Sequence, residues 1–175
     1  MDFKLFKLNV KLAWMKALGK LKKVEDNLQF TSAQFLCPEI LIIFPVDRIE
    51  IPRSLDSISE IISSQKNRDA NFSFITNSNM ENQFNLYDIN TFSLIVLKNG
   101  KVDNLSEIID EIYFKKFDII IDLNINFNIN VAMLVNQINS VYKIGFVSKY
   151  SDYFYNIQLK NSGENRYKPI KDIIR

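Results

Sequence analysis

The sequence contains no histidine, and this absence removes several kinds of catalytic and metal site at once. A Ser-His-Asp or Cys-His catalytic arrangement needs an imidazole, and so does a His-ligated zinc site. The single cysteine, Cys37, cannot form a disulfide within the chain, which favours a reducing, cytoplasmic compartment. Because Cys37 directly precedes Pro38 and an apolar run, we expect it to be a small buried residue. We expect no metal ion and no cofactor.

Glycine is also scarce, with only 4 residues in a chain of 175. Turns that need a positive φ must therefore use asparagine at many positions, and no glycine-rich phosphate-binding loop is present. The remaining composition is ordinary for a globular protein, with 47% hydrophobic and 24% charged residues. The length fits one domain that can bury a substantial core.

Positive charge is concentrated at the start of the chain. Residues 1–23 carry seven lysines and one aspartate, whereas the rest of the chain carries 15 basic and 19 acidic residues. Apolar residues at three- and four-residue steps predict an amphipathic helix over residues 3–24, with the lysines on its opposite side. The apolar positions are Phe3, Phe6, Val10, Ala13 or Trp14, Ala17 and Leu21. Residues 1–37 would then form a basic amphipathic helix followed by a connector.

This helix has three possible roles. It can pack on its own domain or on a protein partner, or it can lie on an anionic membrane surface with Trp14 in the headgroup region. Lysines without any arginine argue less for nucleic acid. Lysines interrupt every apolar run, so the segment resembles neither a secretory signal nor a membrane span. The residues that we expect to contact a partner or a membrane are Phe3, Phe6, Lys7, Lys11 and Trp14.

The rest of the chain alternates short apolar strands with helices. Ile40–Phe44 lies between Pro38 and Pro45, and such a run is typical of a strand that is buried on both faces of a parallel sheet. Further strands are predicted near residues 71–76, 92–97, 117–123, 141–146 and 152–159, and helices at 53–66, 104–116 and after residue 128. Asn104 and Glu107 have the spacing of a capping box. The pattern predicts an α/β domain over residues 38–160, with a mostly parallel sheet, helices on both faces and a polar tail at 161–175.

Two groups of polar residues follow predicted strands, at the sheet edge where ligands bind in open parallel sheets. Asp47, Arg48 and Glu50 follow the first strand, and they form either a ligand site or a surface ion cluster. Asp122, Asn124, Asn126 and Asn128 follow a later strand; they can hydrogen-bond a sugar, or serve as turn and capping residues, which we favour. The candidate ligand-binding residues are Asp47, Arg48, Asn124 and Asn126.

Three segments resemble glycosyltransferase family 9, the heptosyltransferase-like enzymes. Ile40–Ile49 is similar to the family's opening strand and its Asp-Arg-Ile-Gly-Asp-type turn. Phe117–Leu123 resembles the strand with an aspartate near each end, and Tyr142–Phe146 resembles the later Gly-Phe strand. The resemblance implies a single Rossmann-like domain that corresponds to the acceptor-binding half. The donor half, which binds the nucleotide-sugar, has no counterpart in 175 residues, so we expect no nucleotide-sugar binding.

The turn after the first strand departs from the family pattern. Glu50 stands at the position of the glycine, and Ile51 stands at the aspartate that is the family's general base. Isoleucine cannot accept a proton. We therefore expect a non-catalytic structural or adaptor subunit that is built on a degenerate glycosyltransferase-like domain. Its N-terminal helix would join it to a larger assembly. The alternative is the acceptor-binding half of a split glycosyltransferase that acts with a separate donor-binding chain, with Glu50 as the base.

Overall fold

The computed structural model describes residues 3–24, 37–65, 70–84, 89–98, 100–161 and 166–170. Within these ranges the chain forms four α-helices and six β-strands, with 3₁₀ turns at Ser78–Gln83 and Ser151–Tyr153. The elements in chain order are α1 (Phe3–Ala17), β1 (Glu39–Ile43), α2 (Ile51–Gln65), β2 (Asn71–Asn77), β3 (Asn90–Leu94), α3 (Leu105–Ile112), β4 (Phe117–Asp122), α4 (Ile129–Gln137), β5 (Ser140–Phe146) and β6 (Ile157–Leu159).

All six strands belong to one parallel sheet with the order β3-β2-β1-β4-β5-β6. At its centre, Ile42 of β1 lies opposite Phe74 of β2 on one side and Ile121 of β4 on the other. This is the strand order of the Rossmann fold, in which the order reverses between β1 and β4. The predicted single Rossmann-like α/β domain is confirmed.

The apolar run in β1 is buried on both faces of the sheet, as predicted. Leu41 and Ile43 belong to a cluster that contains side chains of α1, α3 and α4. Ile40, Ile42 and Phe44 belong to the opposite cluster, which contains side chains of α2 and of residues 166–170. Helices therefore cover both faces, because a strand that is apolar on every residue needs an apolar layer on each side.

The N-terminal helix is shorter than predicted, because α1 ends at Ala17 instead of continuing to residue 24. Gly19 adopts φ +64° and its N–H donates to the carbonyl of Lys16, while Lys20 N–H donates to the carbonyl of Met15. These two bonds form a Schellman motif, in which a left-handed residue ends the helix. The helix packs on its own domain through buried Leu12, with Leu8 against the same cluster.

Three local predictions are wrong. Asn104 does not close a capping box, because its side chain accepts from Ile95 N–H at 2.8 Å and donates to the Ser93 carbonyl at 2.8 Å, which ends β3 at Leu94. The predicted strand at 152–159 is a strand only over β6, because the Ser151–Tyr153 turn precedes it. Cys37 is exposed, since β1 begins only at Glu39.

The tail that reads as polar in the sequence contributes to the core. Tyr167 and Ile170 are both buried in the cluster on the α2 side of the sheet. The Tyr167 ring lies edge-on to Phe146 of β5, with 6.1 Å between the ring centroids. Residues 166–170 therefore pack against the same sheet as the helices.

Candidate functional site

The crevice at the carboxyl ends of β1 and β4 is where Rossmann domains bind ligands, because the chain leaves the two strands in opposite directions. In this protein Asn124 bridges that crevice. Its Oδ1 accepts from Val46 N–H at 2.9 Å, and its Nδ2 donates to Asp122 Oδ1 at 2.7 Å. The residue is buried. Asn124 therefore ties together the segments that follow the two central strands.

Asp122, the last residue of β4, is the centre of a buried polar network. Its Oδ2 accepts from the Tyr155 hydroxyl at 2.5 Å, and its Oδ1 accepts from the Asn124 backbone N–H at 2.9 Å as well as from the Asn124 side chain. Burial raises the pKa of Asp122, while the hydrogen bonds from Tyr155 and Asn124 act in the opposite direction. Burial, with the neighbouring Asp122 carboxylate, also raises the pKa of Tyr155 well above its usual value.

Gly145 of β5 makes room for this network. A Cβ at Gly145 would lie 2.7 Å from two atoms of the Tyr155 ring, well inside contact distance. The ring of Tyr155 therefore lies directly against the backbone of β5, and from there its hydroxyl reaches Asp122 on β4. Sequence reasoning did not identify Tyr155 as a partner of Asp122. The two residues are 33 positions apart, and no sequence pattern indicates a side-chain bond over that separation.

The turn after β1 does not form the ion cluster that the sequence suggested. Asp47 and Arg48 are exposed, and the Asp47 carboxylate accepts from the Ile49 backbone N–H at 3.1 Å. The side chain of Glu50 points elsewhere, towards the C-terminal segment. Ile51, which the resemblance to glycosyltransferase family 9 would align with the general base, is fully buried in the core.

Glu50 binds two arginines and a tyrosine instead. Its Oε1 lies 3.3 Å from Arg53 Nη1 and 3.3 Å from Arg166 Nη1. Its Oε2 accepts from the Tyr167 hydroxyl at 3.4 Å. Burial, with the Glu50 carboxylate, raises the pKa of Tyr167 far above its usual value. The carboxylate therefore fixes residues 166 and 167 to the turn after β1.

The remaining candidate residues are spread over the surface. Asn126 is exposed, and Asn128 is the N-cap of α4, where its Oδ1 accepts from Asn130 and Val131 N–H; this confirms capping at Asn128. Of the four candidate ligand-binding residues, only Asn124 reaches across the crevice. On α1, the side chains of Phe6, Lys7, Lys11 and Trp14 are exposed, and that of Phe3 lies outside what the structure describes.

In the described part of the chain, no three acidic or cysteine side chains come close enough together to hold a metal ion. No described helix is long and apolar enough to cross a bilayer.

The fold defines the class of protein: a Rossmann-like α/β domain with a six-stranded parallel sheet. Comparison with protein-family models, curated proteins and solved structures finds no match to the chain.

Proposed function

We propose that this protein is a non-catalytic binding subunit of a larger assembly, and that it binds a protein partner through the outer face of α1. The outer face consists of Phe6, Val10 and Trp14, together with Leu18 just after the helix. Their side chains are between 48% and 62% exposed, and this exposure is the observation that carries the proposal. Residues four apart lie on one side of a helix, so the four form a continuous apolar stripe.

The outer face is not needed to hold α1 on its own domain. Leu12, on the opposite side of the helix, is only 4% exposed and packs with Leu8 into the core. Scattered apolar residues are normal on a surface, whereas a contiguous stripe marks an interaction site. An amphipathic helix with anchors at i, i+4 and i+8 fits a hydrophobic groove of a partner, and tryptophan is enriched among residues that dominate binding.

The geometry of the turn after β1 supports a non-catalytic role over the alternative of a split glycosyltransferase. Ile51 lies in the core, so a carboxylate at the family's catalytic position is missing. Glu50, the candidate base of that alternative, has both carboxylate oxygens engaged by Arg53, Arg166 and Tyr167. A carboxylate whose two oxygens already accept from three donors is poorly placed to take a proton from a bound ligand. The glycosyltransferase resemblance itself stays a prediction.

The partner proposal is tested by purifying the full-length protein from the cells that produce it. Trp14→Glu places a charge in the centre of the outer face, and Phe114→Glu, at a side chain that is 92% exposed after α3, is the matched control. We expect wild type and Phe114→Glu to retain the same stoichiometric partner and Trp14→Glu to lose it, with unchanged circular dichroism. Loss in both variants, or in neither, contradicts the proposal.

A second candidate function is attachment to the inner, cytoplasmic face of a membrane. Lys7 and Lys11 are exposed on α1 beside the outer face, and a helix with tryptophan and phenylalanine between lysines suits an anionic surface. Trp14 is the only tryptophan in the chain, so its fluorescence reports directly on this face. A blue shift with vesicles that contain anionic lipid, but not with neutral vesicles, favours the membrane. No shift in either case excludes it.

A further inference from the structure

A cavity of about 160 Å³ lies between the segment that follows α1 and the start of β5. We call it the basic cavity. Its polar lining consists of Lys22, Lys23, Asn139, Ser140, Lys143 and Asn156, and no acidic residue of the described chain lines it. Three lysines therefore line a small space to which no described carboxylate contributes. Neighbouring like charges repel each other, and a bound anion would relieve that repulsion, most of all at the buried Lys143.

The wall of the basic cavity on the α1 side is held in place by α4. The side chain of Asn136 binds both backbone groups of Lys22, with Lys22 N–H donating at 2.9 Å and the Lys22 carbonyl accepting at 3.0 Å. Gln137 Nε2 donates to the Lys20 carbonyl at 3.1 Å. Asn136 is fully buried. The backbone that carries Lys22 and Lys23 is thus fixed against the domain, so the cavity does not depend on a chance position of surface lysines.

Lys143 is the residue that most needs an explanation. It lies within the apolar run of β5 and is only 8% exposed, yet the hydrogen bond recorded for its ammonium within the described chain is the single one to the Asn136 carbonyl at 3.1 Å. An ammonium group has three donors. Burial and the charge of Lys22 lower the pKa of Lys143 to about 8. A buried lysine with unused donors and a cationic neighbour is prepared to receive an oxyanion.

Capping of α4 explains part of this arrangement and leaves the rest open. Lys143 and Lys22 donate to the carbonyls of Asn136 and Gln137, and cations are favourable at a helix C-terminus. The partial negative charge of a helix end is about half an elementary charge, so it cannot balance three lysines. Capping of α4 also explains neither why Lys23 lies at this site nor why a cavity is present between the lysines.

We infer that the basic cavity binds a small oxyanion of the phosphate class, held by the ammonium groups of Lys22, Lys23 and Lys143 and by neighbouring polar side chains. A cavity of about 160 Å³ is large enough to admit a phosphate group together with ordered water. None of the lining residues belongs to the outer face of α1, so this inference does not depend on the proposed function.

The inference is tested by titrating the full-length protein with inorganic phosphate in a calorimeter at constant ionic strength, which separates specific binding from screening. We expect saturable binding with one phosphate per chain. Lys143→Met keeps an unbranched side chain and removes the ammonium, and we expect it to weaken binding about tenfold or more. Lys98→Gln removes one exposed lysine outside the cavity and is the matched control, with unchanged affinity.

A second readout locates the phosphate. Lysines are modified by acylating reagents only as the neutral amine, so bound phosphate should protect Lys143, measured by mass spectrometry, without protecting Lys98. If Lys143→Met fails to fold, the exposed pair Lys22→Gln and Lys23→Gln provides the same test. The inference is overturned if phosphate does not saturate, if the cavity variants bind as tightly as wild type, or if Lys98→Gln weakens binding equally.

Discussion

Replacing Gly145 by alanine is the sharpest test of the buried network in this domain. The new methyl group would lie 2.7 Å from two atoms of the Tyr155 ring, whereas carbon atoms in contact are normally about 3.5–4.0 Å apart. The ring cannot simply rotate away, because Tyr155 is buried in the core and its hydroxyl is bound to Asp122 at 2.5 Å. Either β5 or Tyr155 must move.

The expected cost follows from these two contacts. Overpacking of a well-packed core costs about 1–3 kcal/mol. If the ring moves, the hydrogen bond to the carboxylate of Asp122 is also weakened, and such bonds contribute about 1.5–3 kcal/mol. We therefore expect Gly145→Ala to lower the free energy of unfolding by about 2–5 kcal/mol, which in a domain of this size lowers Tm by roughly 4–20 °C.

Urea denaturation followed by circular dichroism measures this change, and a double-mutant cycle with Tyr155→Phe identifies its origin. If alanine displaces the ring, the hydrogen bond is already lost, so Tyr155→Phe costs less in the Gly145→Ala background than in wild type. A Gly145→Ala protein within about 0.5 kcal/mol of wild type would refute the close approach of ring and backbone. Strict additivity would refute the coupling to Asp122.

Two further expectations concern the crevice between β1 and β4. Asn124→Ala leaves Val46 N–H without its partner and removes the side-chain hydrogen bond to the Asp122 carboxylate, which keeps its bonds from Tyr155 and the backbone N–H of residue 124. It should lower the free energy of unfolding by about 1–3 kcal/mol in urea, whereas the exposed control Asn126→Ala should change it by less than about 0.5 kcal/mol; equal effects would contradict the bridge. The pKa of Asp122 is raised in the native state, so its carboxyl group binds a proton more tightly there than in the unfolded state. This proton binding stabilises the native state at low pH, and the stabilisation is lost as pH rises through the native pKa. The stability of wild type relative to Asp122→Asn should therefore fall with increasing pH, and a flat or rising difference would contradict this sign.

The central part of the fold was predictable because its sequence pattern has few structural solutions. A run such as Ile40–Phe44, apolar at every position and bounded by prolines, fits only an element that is covered on both sides. Strands and helices in alternation then require parallel pairing. The N-terminal helix was harder, because α1 has two apolar faces with helical spacing. The sequence does not show that Leu12 packs inward and Trp14 faces out.

The candidate site was less predictable, because it depends on bonds between distant residues. Asn124 was recognised as a polar residue at the correct edge of the sheet, but its bond to Val46 joins residues 78 positions apart. Glu50 was recognised as a departure from the family turn, yet its partner Arg166 is 116 positions away. Lys143 left one signal that sequence reasoning did not use: a charged residue inside the apolar run of a buried strand.

The two hydrogen bonds between the Asn136 side chain and the backbone of Lys22 also constrain the order of folding. The two residues are 114 positions apart, so the segment after α1 cannot dock until α4 has been synthesised. At typical translation rates of about 5–20 residues per second, this delay is roughly 6–23 s. During that interval both apolar faces of α1 are exposed to solvent or to chaperones. The helix that is made before the rest of the domain is thus among the last elements to reach its native position.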